Sequence, residues 1–277
     1  MAHTLNTIPI TDLDLPELAL YRERAETQLM HANEPEPGVF IAESPKVILR
    51  ALDAGFAPLS VVVDEAQMDG EAAEVLTRVG EIPVYTAPEP VLRELVGYKM
   101  VRGLLCMMQR KQAPTTEAFV KDAKRIAILE RVTNPTNVGA IMRSAAALGI
   151  DGVLLSADCS DPFYRRSARV SMGTVFMFPW AYLPENKSVA EVLEELRAQG
   201  WRSVAMALSE RAHLLGDEEL NRTEKLAIVL GSEGEGLQGE TIAACDDTVM
   251  IQMYYGVDSL NVAAASAVAF WELRARS

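Results

Sequence analysis

The sequence predicts an α/β protein, because two series of apolar strands and amphipathic helices alternate along it and a polar stretch separates them. The first series spans residues 39–109, and the second begins at residue 124. Near-continuous apolar strands separated by helices are typical of a mostly parallel sheet covered by helices on both faces. A chain of 277 residues is long enough for two domains. We therefore expect a smaller α/β domain over residues 1–115 and a larger one over residues 116–277.

The first series follows a polar N-terminal arm and a predicted amphipathic helix over residues 15–34. A strand, VFIAES, precedes a helix in which Ser44 is the expected N-cap and Pro45 the first helical residue. The alternation continues through PLSVVVDEA, GEAAEVLTRVG, EIPVYTA, EPVLRELVGY and MVRGLLCMMQ. The next stretch, RKQAPTTEAFVKDA, mixes charges with proline and threonine and is the predicted linker.

The second series contains six predicted strands, KRIAILE, DGVLLS, TVFMFPW, RSVAMAL, KLAIVLG and DTVMIQM. The principal helices between and after them are VGAIMRSAAALGI, VAEVLEELRAQG and NVAAASAVAFWELRAR. Ligands of such sheets bind at the carboxyl ends of the strands. Three irregular loops fall at those ends, TNPTN after the first strand, GSEGEG after the fifth and YYGVDS after the sixth.

Each loop also has an ordinary structural interpretation. Asn137 can cap the following helix and Gly149 can end it in a left-handed conformation, while Arg143 points away from the apolar stripe and can be simply solvated. Ser259 can likewise cap the last helix, whose many alanines allow close approach of another helix or another chain.

The loop GSEGEG poses a question about its ligand. Glycines after a strand often cradle a phosphate, but this loop lacks the lysine of the GxxxxGK[ST] pattern and carries two glutamates. Carboxylates beside such a loop would repel a pyrophosphate. A ligand with a cationic or neutral part therefore suits the loop better, and a plain tight turn with solvated glutamates is the alternative.

Composition narrows the class of protein further. The formal net charge of −13 argues against nonspecific nucleic-acid binding, so any RNA contact needs a local basic patch. Cys106, Cys159 and Cys245 lie far apart, with no CxxC pair, so we expect buried free thiols and no metal site. No apolar run is long enough to span a membrane and the N-terminus lacks a signal pattern, which favours a cytoplasmic protein.

Taken in order, three segments resemble the SpoU/TrmH branch of the SPOUT-class RNA methyltransferases. They are NPTNVGAIMRSAAALGIDGVLL, IVLGSEGEGL and MIQMYYGVDSLNVAAASAVAFWE, and the resemblance spans residues 125–274. It implies a C-terminal parallel sheet with helices on both faces and a deep trefoil knot. The first domain looks like the ribosomal-protein-like, substrate-binding domain that often precedes this catalytic domain. The resemblance also implies homodimers and methyl transfer from S-adenosylmethionine to a ribose 2′-hydroxyl of tRNA or rRNA.

This resemblance implies a role for particular residues. Gly231, Ile251 and Leu260 would line the cofactor site, and the sulfonium of a phosphate-free donor explains a glycine loop without lysine. The positions that match the family's functional residues are Asn137, Arg143, Glu233, Ser259 and Asn261. Because guanidinium stays protonated in proteins, we expect Arg143 to anchor phosphate and stabilise charge instead of acting as the base.

Two features depart from the family pattern. Gln252 replaces a common proline, and Tyr254 and Tyr255 are bulkier than the small residues usual there, which affects the expected loop geometry. The acidic charge is the other departure. The best local basic patch is FYRRSAR, in which Arg165, Arg166 and Arg169 would bind RNA, and a solvated basic helix end is the alternative.

Two further functions remain open at the level of sequence. One is a binding protein of the same fold that no longer turns over, suggested by the acidic charge and the altered third motif. The other is a methyltransferase with a different acceptor atom or a non-RNA acceptor. Retention of the five functional positions argues against the first of these.

Overall fold

A computed structural model describes residues 5–22, 29–30, 37–112, 114–209, 212–232 and 234–275. The chain divides into two compact units, one of Met1–Gln112 with Phe163–Met177 and one of Ala113–Pro162 with Phe178–Ser277. Half of the predicted helix over residues 15–34 lies outside the described residues, and the described part includes a short 3-10 turn at Pro16–Leu18. Within the described ranges, no helix has the length and apolar character needed to cross a membrane.

The first unit is built on a five-stranded mixed sheet. Its strands are β1 (Asn6–Pro9), β2 (Val39–Glu43), β3 (Pro58–Asp64), β4 (Pro83–Ala87) and β5 (Leu104–Gln109), in the lateral order β1-β4-β3-β5-β2. Its first helices are α1 (Pro45–Asp53), α2 (Ala73–Arg78) and α3 (Glu89–Val96). The two pairings of β5 are antiparallel, and the predicted polar arm contributes β1 at an edge. Ser44 is the N-cap of α1 by position, but its side chain makes no capping hydrogen bond.

The segment Phe163–Met177 belongs to the first unit although it interrupts the second series of strands. It contains a short helix over Arg165–Val170, in the basic segment for which the sequence offered a helix end as the alternative to an RNA-binding patch. Phe163 and Phe176 pack against Phe40, with ring centroids 4.9 and 5.1 Å apart, and both also contact Phe56. Each buried aromatic ring removes a large apolar area from water. The segment therefore completes the core of the first unit.

The second unit is built on a seven-stranded parallel sheet. Its strands are β6 (Arg125–Leu129), β7 (Gly152–Leu155), β8 (Trp180–Tyr182), β9 (Arg202–Met206), β10 (His213–Leu214), β11 (Leu226–Leu230) and β12 (Asp247–Met250). Their lateral order is β10-β12-β9-β11-β6-β7-β8, and every pairing is parallel. The predicted strand TVFMFPW is instead a 3-10 turn at Thr174–Phe176, and β8 begins only at its last residue.

Helices connect these strands and flank the sheet. They are α4 (Thr116–Val120), α5 (Pro135–Ala147), α6 (Arg165–Val170, packed in the first unit), α7 (Val189–Ala198), α8 (Glu218–Arg222), α9 (Gly239–Ala244) and α10 (Val262–Leu273). The predicted α/β class with a parallel sheet and helices is confirmed.

Central strands of this sheet are buried on both faces, as their unbroken apolar sequences require. Every residue of β6 and of β11 is buried. Helix α7 packs its apolar face, including Val192, Leu193 and Leu196, into the core on one side. Helices α5 and α10 pack against each other. The predicted linker contains helix α4 and is therefore only partly irregular. Thr115 caps this helix by accepting a hydrogen bond from the backbone of Ala118.

Candidate active site

Three loops meet at one edge of the parallel sheet. They follow β6, β11 and β12, and because all these strands are parallel members of one sheet, their carboxyl ends point to the same side. These are the loops that the sequence singled out. The edge thus gathers residues from the regions around 131–137, 231–237 and 251–261.

A cavity of about 390 Å³ opens between the loops that follow β11 and β12. Gly231, Ile251, Leu260 and Ser259, four of the predicted site residues, all line it. Its size falls within the range of small-molecule sites, of roughly 300 to 1,000 Å³. The wall is mostly apolar and carries two carboxylate residues, Glu235 and Asp258, which suits a ligand with an aromatic part and a cationic part.

The loop after β11 is folded so tightly that its first residue must be glycine. A Cβ atom on Gly231 would lie 2.3 Å from the carbonyl carbon of Gly236 and 2.4 Å from the nitrogen of Leu237. Gly236 has φ +69°, and its N–H donates to the carbonyl of Ser232 at 3.0 Å. Two backbone segments of the loop therefore pack directly against each other, and Gly231 and Gly236 both line the cavity. Glu233, which was predicted in this loop, lies outside the described residues.

A second cavity of about 270 Å³ adjoins the first, and both are lined by Ser232, Gly234 and Glu235. Asn137 lines the second cavity together with Thr133, Asn134 and Arg131, whose side chains can all form hydrogen bonds. Val262 of α10 also lines both cavities, so the loop after β11 and the start of α10 form their common wall. A mostly apolar cavity thus lies beside a polar one.

Asn137 and Asn261 are joined although they are far apart in sequence. The Asn261 Nδ2 donates to Asn137 Oδ1 at 3.2 Å, and Asn137 is 4% exposed. The capping roles differ from the sequence expectation. Asn134, not Asn137, caps α5, because Pro135 favours the first helical position. Asn261, not Ser259, caps α10 by accepting from the backbone of Ala263 at 3.0 Å.

Arg143 lies on the exposed face of α5, as the position of the apolar stripe indicated. It is not among the described residues that line either cavity, and its side chain makes no hydrogen bond or ion pair to another described residue. Within one chain the structure therefore brings Asn137, Ser259 and Asn261 to the site and leaves Arg143 at the surface.

Glu130 is a site residue that the sequence analysis missed. Its carboxylate is 2% exposed and accepts hydrogen bonds from the Gln238 N–H at 2.8 Å and the Thr241 hydroxyl at 2.5 Å. It thereby ties the end of β6 to the start of α9, just beyond the glycine loop. The available signal was an acidic residue directly after the apolar run IAIL of β6, because buried carboxylates need dedicated partners.

The predicted basic patch is largely occupied by contacts within the first unit. Arg165 donates to the Tyr98 hydroxyl at 2.8 Å and lies over its ring, and Arg169 pairs with the 2%-exposed Glu43 at 3.1 Å. Burial is the main reason that the pKa of Tyr98 rises to about 12. Arg166 is exposed. RNA binding by these arginines remains a prediction.

The cysteines are free thiols, with Cys106 and Cys159 buried and Cys245 partly buried. Burial raises the pKa of Cys245 to about 12 and also raises the pKa of Cys159. The described residues contain no cluster of three histidine, cysteine or acidic side chains that could hold a metal ion.

The fold is that of an α/β protein with two adjoining cavities at the carboxyl edge of its parallel sheet, where small molecules bind in proteins of this class. Residues 124–271 match the SpoU rRNA Methylase family. An uncharacterized tRNA/rRNA methyltransferase of Mycobacterium bovis is 33% identical over 274 residues, which cover 99% of this chain and 93% of that protein. A 23S rRNA uridine 2′-O-methyltransferase of Streptomyces viridochromogenes is 26% identical, with coverage of 86% and 84%.

Among solved structures, an AdoMet-bound rRNA methyltransferase from Sinorhizobium meliloti superposes with a TM-score of 0.77 and 26% identity over 97% of each chain. This chain belongs to the SpoU rRNA methylase family. Membership confirms the predicted activity, the transfer of a methyl group from S-adenosylmethionine to a ribose 2′-hydroxyl of RNA.

Proposed function

We propose that this enzyme methylates ribosomal RNA, using the larger cavity for S-adenosylmethionine and the smaller one for the target nucleotide. The observation that carries the proposal is that Asn137 and Asn261 meet beside a cavity lined by Gly231, Ile251 and Leu260. The family's description and the printed name of the Streptomyces relative favour rRNA over tRNA.

The cofactor, when bound, supplies a methyl group on a sulfonium cation. Gly231 would hold it through the backbone, since no side chain can occupy that position. Ile251 and Leu260 would contact its apolar part, and Asp258 would complement its positive charge. These assignments need no metal ion.

The acceptor hydroxyl must be aligned with the sulfonium and must lose its proton as the new bond forms. Asn137 and Asn261 would orient the ribose, and Ser259 would contact it from the cofactor cavity. Arg143 would bind the adjoining phosphate and stabilise the developing charge, because a guanidinium stays protonated in proteins. Glu233 would fix the conformation of the glycine loop.

A homodimer is part of the proposal. Helix α10 exposes Val268 and Trp271, which are 39% and 53% accessible, and apolar residues of this kind favour burial by a second copy. Arg143 is exposed and lies outside both cavities, so a dimer could bring it to the cavity of the partner. Mixed dimers of one Arg143→Ala chain and one Gly231→Val chain test whether Arg143 of one chain acts at the cavity of the other. Activity restored in the mixed dimer requires a shared site, and its absence in a verified mixed dimer contradicts sharing.

The proposal extends to the architecture. We infer a deep trefoil knot in the second unit, supported by family membership and by the lateral order in which β12 lies outside β9. We assign substrate binding to a ribosomal-protein-like first domain over residues 1–115 and catalysis to residues 116–277. A cytoplasmic location fits three free thiols, because reducing compartments keep cysteines unpaired.

The decisive experiment measures methyl transfer from labelled S-adenosylmethionine to protein-free rRNA and to tRNA by the wild type, Arg143→Ala and Arg143→Lys. We expect label in rRNA, a loss of at least about 100-fold in the alanine variant and partial rescue by lysine. Calorimetric cofactor binding should be unchanged in both variants. Label confined to tRNA would contradict the rRNA assignment, and cofactor binding without transfer to either RNA would favour a silent protein or another acceptor.

A further inference from the structure

Arg131 is a cation at the rim of the proposed acceptor site that no part of the proposed mechanism uses. It follows β6 closely and lines the smaller cavity beside Asn137. Among the described residues that line the two cavities, it is the one with a positive charge. The chain has a net charge of −13, so a guanidinium at this position provides a local positive charge that attracts an anionic substrate.

The partners of Arg131 are carboxylates on exposed side chains. Its Nη1 lies 2.6 Å from Glu235 Oε2, and its Nε lies 3.6 Å from Asp158 Oδ2. The side chains of Arg131, Glu235 and Asp158 are 39%, 71% and 56% exposed, respectively. Solvent-exposed pairs of this kind contribute only about 0 to 1 kcal/mol. Another anion could therefore displace Glu235 at little cost in stability.

The backbone holds Arg131 in a conformation that a non-glycine residue seldom adopts, with φ +57°. Its N–H donates to Ser156 Oγ at 3.0 Å, and the next N–H, of Val132, donates to Cys159 Sγ at 3.3 Å. A left-handed residue costs roughly 1 to 2 kcal/mol. These hydrogen bonds fix the backbone at Arg131, and the residue lines the cavity in this conformation. An ordinary surface arginine would not carry the energetic cost of the left-handed backbone.

Two of the three arginines predicted to bind RNA have partners within the first unit. Arg165 and Arg169 are engaged with Tyr98 and Glu43 of the first unit. Glu235, by contrast, belongs to the loop that lines both cavities, so the ion pair connects the acceptor site to the cofactor loop. Charge-assisted contacts between guanidinium and phosphate are frequently bidentate and stronger than neutral hydrogen bonds.

We propose that Arg131 binds a backbone phosphodiester of the substrate RNA next to the target nucleotide, and that the phosphate replaces Glu235 as its partner. In the free protein Glu235 holds the guanidinium in position and excludes weaker anions. When RNA enters, the phosphate takes the guanidinium and Glu235 is released to solvent. This inference rests on the proposed function, because it takes RNA as the substrate and the smaller cavity as the acceptor site.

The test measures filter binding of protein-free rRNA without cofactor, over a range of salt concentrations, for the wild type, Arg131→Ala and Glu235→Gln. We expect the alanine variant to bind about tenfold more weakly, with a salt slope shallower by about one unit. The glutamine variant should bind roughly two- to fivefold more tightly, since it removes the competing carboxylate. The double variant should behave like Arg131→Ala.

The control for charge is Arg222→Ala, which removes one exposed arginine from α8, near the opposite edge of the sheet. It should change rRNA affinity by less than about twofold. Arg131→Ala should leave calorimetric cofactor affinity within about twofold of the wild type. If both Arg131→Ala and Glu235→Gln weaken RNA or cofactor binding, the ion pair stabilises the structure of the site and the proposal is wrong. Unchanged rRNA affinity in Arg131→Ala would also overturn it.

These outcomes are separable from failure of the proposed function. Wild-type protein that binds rRNA but transfers no methyl group would contradict the proposed rRNA methylation while leaving the Arg131 contact measurable. Methyl transfer that proceeds with the same KM for rRNA in the wild type and Arg131→Ala would refute only the phosphate contact.

Discussion

Asn261 Nδ2 donates to Asn137 Oδ1 at 3.2 Å, which joins the cap of the last helix to the first turn of α5 across 124 residues of sequence. The same Asn261 side chain accepts the Ala263 N–H through Oδ1. One residue therefore both ends the loop that lines the larger cavity and contacts a side chain that lines the smaller one. Under the proposed function, we expect its replacement to affect stability and activity together.

Replacing Asn261 by alanine should reduce both the stability of the protein and its catalytic activity. Loss of the cap and of the bond to Asn137 should lower the free energy of unfolding by about 1 to 2 kcal/mol, and kcat should fall at least about tenfold. Urea denaturation and labelled-methyl transfer measure the two effects. Ser188→Ala is the matched control, because Ser188 caps α7 in a capping box and should lose similar stability with unchanged transfer. A normal kcat in Asn261→Ala would contradict the role of the pair.

Gly231→Ala should disrupt the cofactor cavity. The added methyl group would lie 2.3 Å from the carbonyl carbon of Gly236, so the loop must shift. We expect affinity for S-adenosylmethionine to fall at least about tenfold, equivalent to about 1.4 kcal/mol, in calorimetry. Gly239→Ala is the control, because a Cβ atom at that position would meet no described atom within 4 Å and the residue begins α9. Equal affinities in the two variants would show that the close approach at Gly231 is not required.

Glu130→Gln should loosen the start of α9. The carboxylate accepts from Gln238 N–H and Thr241 Oγ1, and an amide offers only one acceptor oxygen for these two donors. We expect a loss of about 1 to 3 kcal/mol in unfolding free energy and weaker cofactor binding. The exposed Glu240 lies in the first turn of the same helix, so Glu240→Gln should change either quantity little. If Glu130→Gln matched this control, Glu130 would have no positioning role.

Two variants, Arg169→Ala and Arg166→Ala, test whether an arginine of the basic segment contributes to the stability of the fold or to RNA binding. Removal of Arg169 takes away one ion-pair partner of the 2%-exposed Glu43, so we expect a loss of about 1 to 3 kcal/mol in stability. The exposed Arg166 should change stability by less than about 0.5 kcal/mol. Denaturant titration and rRNA binding are measured on both. Equal stability of the two variants would show that the Glu43 ion pair is not needed for the fold.

Buried thiols predict an alkaline loss of stability. Burial raises the pKa of Cys245 to about 12, so the folded thiol keeps its proton at pH values where the unfolded thiol, with a pKa near 8.5, loses it. The stabilisation is complete below that unfolded pKa and is lost progressively as pH rises toward the folded value. Unfolding free energy should therefore fall between about pH 9 and pH 11. The fall should be smaller in Cys245→Ala, and an identical fall would exclude a contribution from this thiol.

The sequence alone determined the α/β class, most of the strands of the parallel sheet and the convergence of three loops at one of its edges. Apolar runs such as those of β6 and β11 have no alternative to burial, and glycine-rich segments after them must turn. Because the carboxyl ends of parallel strands share an edge, the three loops were expected to converge. Gly231, Ile251, Ser259 and Leu260 accordingly line one cavity, and these local signals required no knowledge of distant contacts.

Only the tertiary structure decided which residues meet across long separations. Phe163 and Phe176 complete the core around Phe40, although the sequence predicted a basic RNA-binding patch around Phe163 and a strand around Phe176. The contacts of Glu130 with α9 and of Arg131 with Glu235 depend on packing between segments about 100 residues apart. Secondary-structure propensity and hydrophobic periodicity depend only on residues close together in sequence. The contacts between distant segments depend on the free energy of the whole packed chain, so a local pattern cannot predict them.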